Sequence, residues 1–180
     1  MIKGKSNIHL AYWSLGNIFI GLIDALIWPL FADNALAQGV LGQVGAASAM
    51  VAYTCMAIMA HNDGWYVPSA GFIVLAISQG VFFTSFNIHS TEMDYEIGVS
   101  GIIFMLPAIV MVSYYSHFPL WLRVAGLLSL LPFVYVLILF YSGNYRKNML
   151  LELVSYAFFQ MITVAWSWLM YRNELQKTKS

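Results

Sequence analysis

Ser14, Asn17, Gly21, Asp24 and Trp28 follow one another at intervals of three, four, three and four residues. In a helix that spacing puts them on one face. The residues between them are mostly Leu, Ile, Phe and Ala. A carboxylate on such a face can hold a cation, carry a proton, or accept hydrogen bonds from a polar solute. Glu152, Tyr156, Gln160, Thr163 and Ser167 form a second stripe at intervals of four, four, three and four. Gln79, Phe83 and Asn87 recur every four residues, as do Glu96 and Ser100. These stripes define a candidate ligand or ion pathway. Asp24 is its central charge, and Asn17, Gln79, Tyr156, Gln160 and Thr163 supply hydrogen-bonding groups. Trp28, Glu96 and Glu152 form its mouth. Polar residues on buried faces also bond helix to helix, each bond contributing modestly in lipid. That plainer role competes with the pathway at every position, least at Asp24.

The elements that must carry these residues are six apolar segments, 8–31, 38–60, 65–87, 97–116, 120–142 and 149–171. Each is close to the roughly 20 apolar residues that cross a bilayer. Charged residues are 9% of the chain and apolar ones 61%, more oil than a water-soluble fold of 180 residues can hide. The expected fold is all-α: a single polytopic domain over 1–180, built as a compact bundle of six transmembrane helices. At about 1.5 Å per residue, Asp24 would then lie roughly 20 Å from the inner end of the first helix. A carboxylate at that depth is costly unless it turns inward or stays protonated. No lysine or arginine stands at its level.

Charge distribution sets the expected orientation. Lys3, Lys5, Arg123, Arg172, Lys177 and Lys179 share one side, and only Arg146 and Lys147 fall on the other. The excess of basic residues toward the cytoplasm places both termini there. Asp33, Glu92, Asp94 and Glu96 then make the outer face acidic. Trp13, Trp65, Tyr66, Trp121, Trp168 and Tyr171 near inner ends, and Trp28, Tyr95, Tyr141 and Tyr145 near outer ends, read as interfacial anchors. The basic stretch from Met1 to Ile8 precedes an apolar run too long for a signal segment, so the first helix is expected to remain. The expected location is a cell membrane, specifically a bacterial inner membrane.

Helix packing also leaves a trace. Gly42, Gly45, Ala46 and Ala49 line one face of the second segment. Small residues at this spacing let two helices approach closely, within the bundle or toward a second subunit. Pro107 and Pro132 fall in mid-segment, where each removes a backbone donor and bends its helix.

Other chemistry is less well supported. Gly98-Val99-Ser100-Gly101 reads GxSG and resembles the serine motif of rhomboid intramembrane proteases, which are also small six-helix bundles. That resemblance implies a histidine base on the last helix in a glycine-rich segment. The segment 149–171 contains neither histidine nor glycine. His9, His61 and His117 lie at inner ends and His89 at an outer end, none deep enough for haem ligation. A metal or pH-sensing cluster would draw on His61, Asp63 and His117. Cys55 is the only cysteine, which excludes an internal disulfide. Zero net charge gives no reason to expect nucleic acid as a partner, and no motif specifies a cofactor.

The leading expectation is therefore a transporter, channel or binding subunit for a small polar or cationic solute, or for protons. Its path would be a polar cavity between the first, third and sixth helices. A structural or assembly subunit of a larger membrane complex, joined through the second helix, is the alternative. An intramembrane enzyme ranks third.

Overall fold

A computed structural model describes residues 7–31, 33–86, 95–145 and 149–179, without the side chains of Pro29, Ala35, Tyr95 and residues 149–153. Every regular element among them is a helix. The order is α1 (Ile8–Ile27), one 3-10 turn (Trp28–Phe31), α2 (Ala35–Asn62), α3 (Tyr66–Ser85), α4 (Tyr95–Ser113), α5 (Leu120–Leu128), α6 (Leu130–Tyr141) and α7 (Met149–Lys179). Among the described residues five stretches are long and apolar enough to cross a membrane: α1, α2, α3, α4, and α5 with α6 taken together. The chain is a multi-pass membrane protein.

Helix ends follow local chemistry. Pro29 has no N–H to continue α1, and the chain tightens into a 3-10 turn. The Asn34 side chain accepts the Ala37 amide at 3.0 Å and starts α2. Gly64 turns the chain from α2 into α3 at φ +81°, a left-handed conformation in which a Cβ is costly. The segment 120–142 is not one continuous helix. Pro132 cannot donate to the Leu128 carbonyl and its ring clashes there, and α5 ends at Leu128. Pro107 leaves α4 unbroken. α7 runs past 171 to Lys179. The described part of α7, which lacks the side chains of residues 149–153, is not among the apolar spans.

On α1 the packing is inverted relative to a helix of a water-soluble bundle. The buried face of α1 is Ala11, Ser14, Ile18 and Gly21, largely small or polar. Phe19, Ile20, Ile23 and Leu26 point outward. Leu26, Leu30, Leu120, Leu131 and Ile138 are each at least 60% exposed. Bulky aliphatics facing out and small residues facing in are the signature of helices solvated by lipid. Trp13, Tyr66, Trp121, Trp168 and Tyr141 are exposed as well, as anchors at membrane interfaces would be.

α1 packs between α2 and α7, α2 on α3, and α3 on α4. α7 is antiparallel to α1, and their contacts recur every seven residues along both chains. The Asn7 amide donates to Glu174, the Ser14 and Ser167 hydroxyls meet at 2.8 Å, and Gly21 faces the Gln160 side chain. A seven-residue repeat keeps one seam facing its partner with only slight supercoiling. Trp166 anchors the other side of α7. It is fully buried, stacks on Phe118 with centroids 6.0 Å apart, and meets Phe72 and Phe159 edge-on. Gly126 of α5 makes room for it, since a Cβ there would lie 3.0 Å from the indole.

Candidate functional site

The seam between α1 and α7 opens into a cavity of about 150 Å³. Its walls come from α1, α2, α3, α4, α6 and α7, more helices than the three expected from the stripes. Gly42, Gly45 and Gly98 contribute backbone to this wall. Asp24, Tyr156, Gln160 and Ser155 are its hydrogen-bonding side chains besides the indole of Trp28 and the phenol of Tyr145. Phe82, Phe86, Val99, Ile102, Phe133 and Val136 make most of the remaining wall.

Asp24 projects from α1 over the backbone of α2 at Gly45. A Cβ on Gly45 would lie 2.9 Å from the Asp24 carboxyl carbon and closer still to Oδ2. The glycine is thus the recess that holds the carboxylate. Asp24 Oδ1 is buried and has no hydrogen-bond partner among the described residues. Among the described residues no lysine, arginine or histidine lines the cavity. A buried polar atom left unpaired calls for a ligand, water or proton to satisfy it. One turn on, the Trp28 indole N–H donates to the Gln38 carbonyl at 3.2 Å and ties α1 to α2.

The facing wall is a hydrogen-bonded group. The Tyr156 hydroxyl donates to Gln79 Oε1 at 3.0 Å, and Gln79 is fully buried with its Nε2 unpartnered among the described residues. Thr163 donates to both the backbone and side-chain carbonyls of Gln160, at 2.8 and 3.2 Å. The buried Tyr53 hydroxyl faces Thr163 without reaching hydrogen-bond geometry. The rings of Phe82 and Tyr156 stand nearly perpendicular, 82° apart with centroids separated by 6.3 Å.

Asp24, Trp28, Tyr156 and Gln160 are thus brought together around one space, with Gln79 joined to it through Tyr156. Thr163 stands one turn behind, bonded to Gln160. Asn17 is half-buried and donates to the Trp13 carbonyl of its own helix at 2.9 Å. Glu96 is exposed at the start of α4 and does not line the cavity. The side chain of Glu152, together with Asn87, His89, Glu92, Asp94, Arg146 and Lys147, lies outside the described residues. The small face of α2 points into the bundle. Gly42 receives the ring of Phe86, Gly45 the carboxylate of Asp24, and Ala46 and Ala49 are buried.

Ser100 of the GxSG quartet is exposed and donates to the Glu96 carbonyl at 3.1 Å. His9, His61 and His117 are exposed. No group of three His, Cys, Asp or Glu side chains among the described residues could hold a metal ion.

A second polar cluster, which the stripes did not reveal, closes the opposite end of the α1–α7 seam. Lys177 bridges Asp63 at 2.5 Å and Glu174 at 2.6 Å. Glu174, only 2% exposed, also accepts the Asn7 amide at 2.6 Å, and the Asn62 amide donates to Asn7 Oδ1. Tyr115, in the turn after α4, donates to Asp63 at 3.4 Å. Burial pushes the Tyr115 hydroxyl well above its ordinary pKa, and the nearby charges of Asp63 and Glu174 push the same way. Burial pulls Lys177 down, but hydrogen bonds and charge from Asp63 and Glu174 outweigh it, so its pKa is raised. Continuing the seven-residue spacing of Gln160 and Ser167 to 174 is the sequence signal that points to this cluster.

No protein-family model matches the chain, and no curated protein or solved structure matches it.

Proposed function

We propose that this protein binds or passes a small polar or cationic solute, or protons, through the Asp24 cavity. The carrying observation is the Asp24 carboxylate, recessed over Gly45 in a shared cavity, with a buried oxygen unpaired and no cation in the wall among the described residues. Tyr156 and Gln160 supply hydrogen bonding beside it, and Gln79 orients Tyr156. Glu96, exposed and outside the wall, belongs to the approach.

In this reading α7 is the sixth crossing. Its support is the seven-residue seam, which carries α7 along α1 from Asn7 to Gly21. Both ends of the described chain therefore sit at one end of the bundle. The described basic residues Arg172, Lys177 and Lys179 at that end favour the cytoplasm for it, and in this reading the membrane is a bacterial inner membrane. The test is reconstitution in liposomes, comparing solute or proton flux of the wild type with Asp24→Asn. Loss of flux is expected, and undiminished flux in the variant refutes the pathway.

One observation favours the assembly-subunit reading. Ser14 with Ser167, and Thr163 with Gln160, are already satisfied by each other and act as glue between or along helices. A partner on α2 would meet its outward residues Val40, Val44, Val51 and Ile58. Stable co-purification with a larger complex, dependent on those four residues and indifferent to Asp24, would select this alternative.

A further inference from the structure

We propose that the solute is a small organic ammonium ion, held by the Asp24 carboxylate within a wall of aromatic rings. This rests on the reading of the Asp24 cavity as a solute site and narrows it to one chemical class. Three properties of the cavity carry the choice.

The first is size. A space of about 150 Å³ matches engineered cavities that accommodate benzene. A proton needs no such room. The second is the shortage of oxygen. Hard metal cations take about six to eight oxygen ligands. Among the described residues Asp24 is the one carboxylate in the wall; the other side-chain oxygens are the hydroxyls of Ser155, Tyr156 and Tyr145 and that of Gln160, which already accepts from Thr163, and the rest is largely hydrocarbon. A bare metal ion entering this space would lose its water without replacement. The third is the nature of that hydrocarbon. Trp28, Phe82, Phe86, Phe133 and Tyr156 line the space, and the Phe82 and Tyr156 rings stand at 82°. An alkylated ammonium gains from ring faces through cation–π attraction, which strengthens when water is excluded. It needs few oxygen ligands, and one carboxylate neutralises its charge. Burying a lone carboxylate is costly, and burying it with its counter-ion restores much of that loss.

The experiment is calorimetric titration of the purified full chain in detergent with tetramethylammonium, sodium, potassium and uncharged tert-butanol. Proton and alkali-cation flux is measured in liposomes in parallel. Saturable tetramethylammonium binding is expected, with no heat from tert-butanol or the alkali ions. Asp24→Asn should weaken binding about tenfold to a hundredfold. Phe82→Leu, which keeps the site apolar but removes a ring, should weaken it about twofold to thirtyfold. If Asp24→Asn fails to fold, the tert-butanol comparison on the wild type and the Phe82→Leu titration still decide the matter. Equal binding of tert-butanol overturns the proposal, because the charge would then be irrelevant. Alkali-ion or proton flux that depends on Asp24, without tetramethylammonium binding, overturns it and leaves the solute pathway standing. No binding and no flux of any probe removes both.

Discussion

Replacing Gly45 by alanine tests the central contact of the site with a single methyl group. A Cβ at this position would lie 3.3 Å from the Asp24 Cβ and 2.9 Å from its carboxyl carbon. Turning the carboxylate about its Cβ–Cγ bond relieves the overlap with Oδ2 but leaves the carboxyl carbon, which Asp24→Ala removes, 2.9 Å from the new methyl. Overpacking of this kind costs about 1–3 kcal/mol. Alanine in a helix gains roughly 0.5–1 kcal/mol over glycine, so the net destabilisation should be about 0.5–2 kcal/mol. Gly16 supplies the control, because a Cβ there meets nothing within 4 Å. Gly16→Ala should therefore be neutral or stabilising by up to about 1 kcal/mol. The assay is equilibrium unfolding in mixed micelles, run as a double-mutant cycle with Asp24→Ala. Removing the carboxylate should rescue Gly45→Ala, with a coupling of about 1–2 kcal/mol. Additive effects in the cycle, or a Gly45→Ala protein as stable as Gly16→Ala, would refute the placement of Asp24 over α2.

Further tests address the rest of the bundle. Ser14→Ala and Ser167→Ala should couple by about 0.6 kcal/mol and by no more than about 1.7, as interhelical hydrogen bonds in membranes do; a thermal double-mutant cycle measures it. Alkaline stability reports the polar cluster at the chain ends. Lys177 and Tyr115 both have folded pKa values raised above their ordinary 10.5 and 10.0. The unfolded chain therefore gives up these protons first, and their stabilising contributions are complete below about pH 10 and fade as pH rises through the folded values. Melting temperature should fall above pH 10 in the wild type and fall less steeply in Lys177→Met with Tyr115→Phe; identical slopes would count against the assignment. Pro132→Ala restores a donor for the Leu128 carbonyl and should join α5 to α6. Spin labels at Trp121 and Tyr141 would then show a longer, narrower distance distribution.

Much of the architecture could be read from the amino-acid order, because apolar runs of bilayer length have few other uses. The segments 8–31, 38–60, 65–87 and 97–116 each contain an observed helix to within a few residues at either end. The break in 120–142 was visible as Pro132, and its position at Leu128 follows from the carbonyl that proline leaves unpaired. The grouping of Asp24 with Tyr156 and Gln160 was legible from periodicity, since stripes on antiparallel helices can be compared by depth. The recess at Gly45 was not. Spacing shows which residues share a face but not how far each helix is rotated toward each neighbour, so a glycine of α2 and an acid of α1 gave no hint of their contact. Glu174 was hidden for a different reason. It lies beyond the apolar run, where a charged residue suggests a solvated tail, yet the seam continues past that boundary and buries it.

The pairing of α1 with α7 has a consequence for biogenesis. The two halves of the seam are the earliest and latest helices described here, so the ribosome delivers one long before the other. Until α7 arrives, Ser14 and Gly21 have no partner from it and the chamber around Asp24 lacks the wall that Tyr156 and Gln160 provide. A nascent chain stalled before α7 would leave an acidic, polar stripe open to acyl chains, a ready mark for membrane quality control.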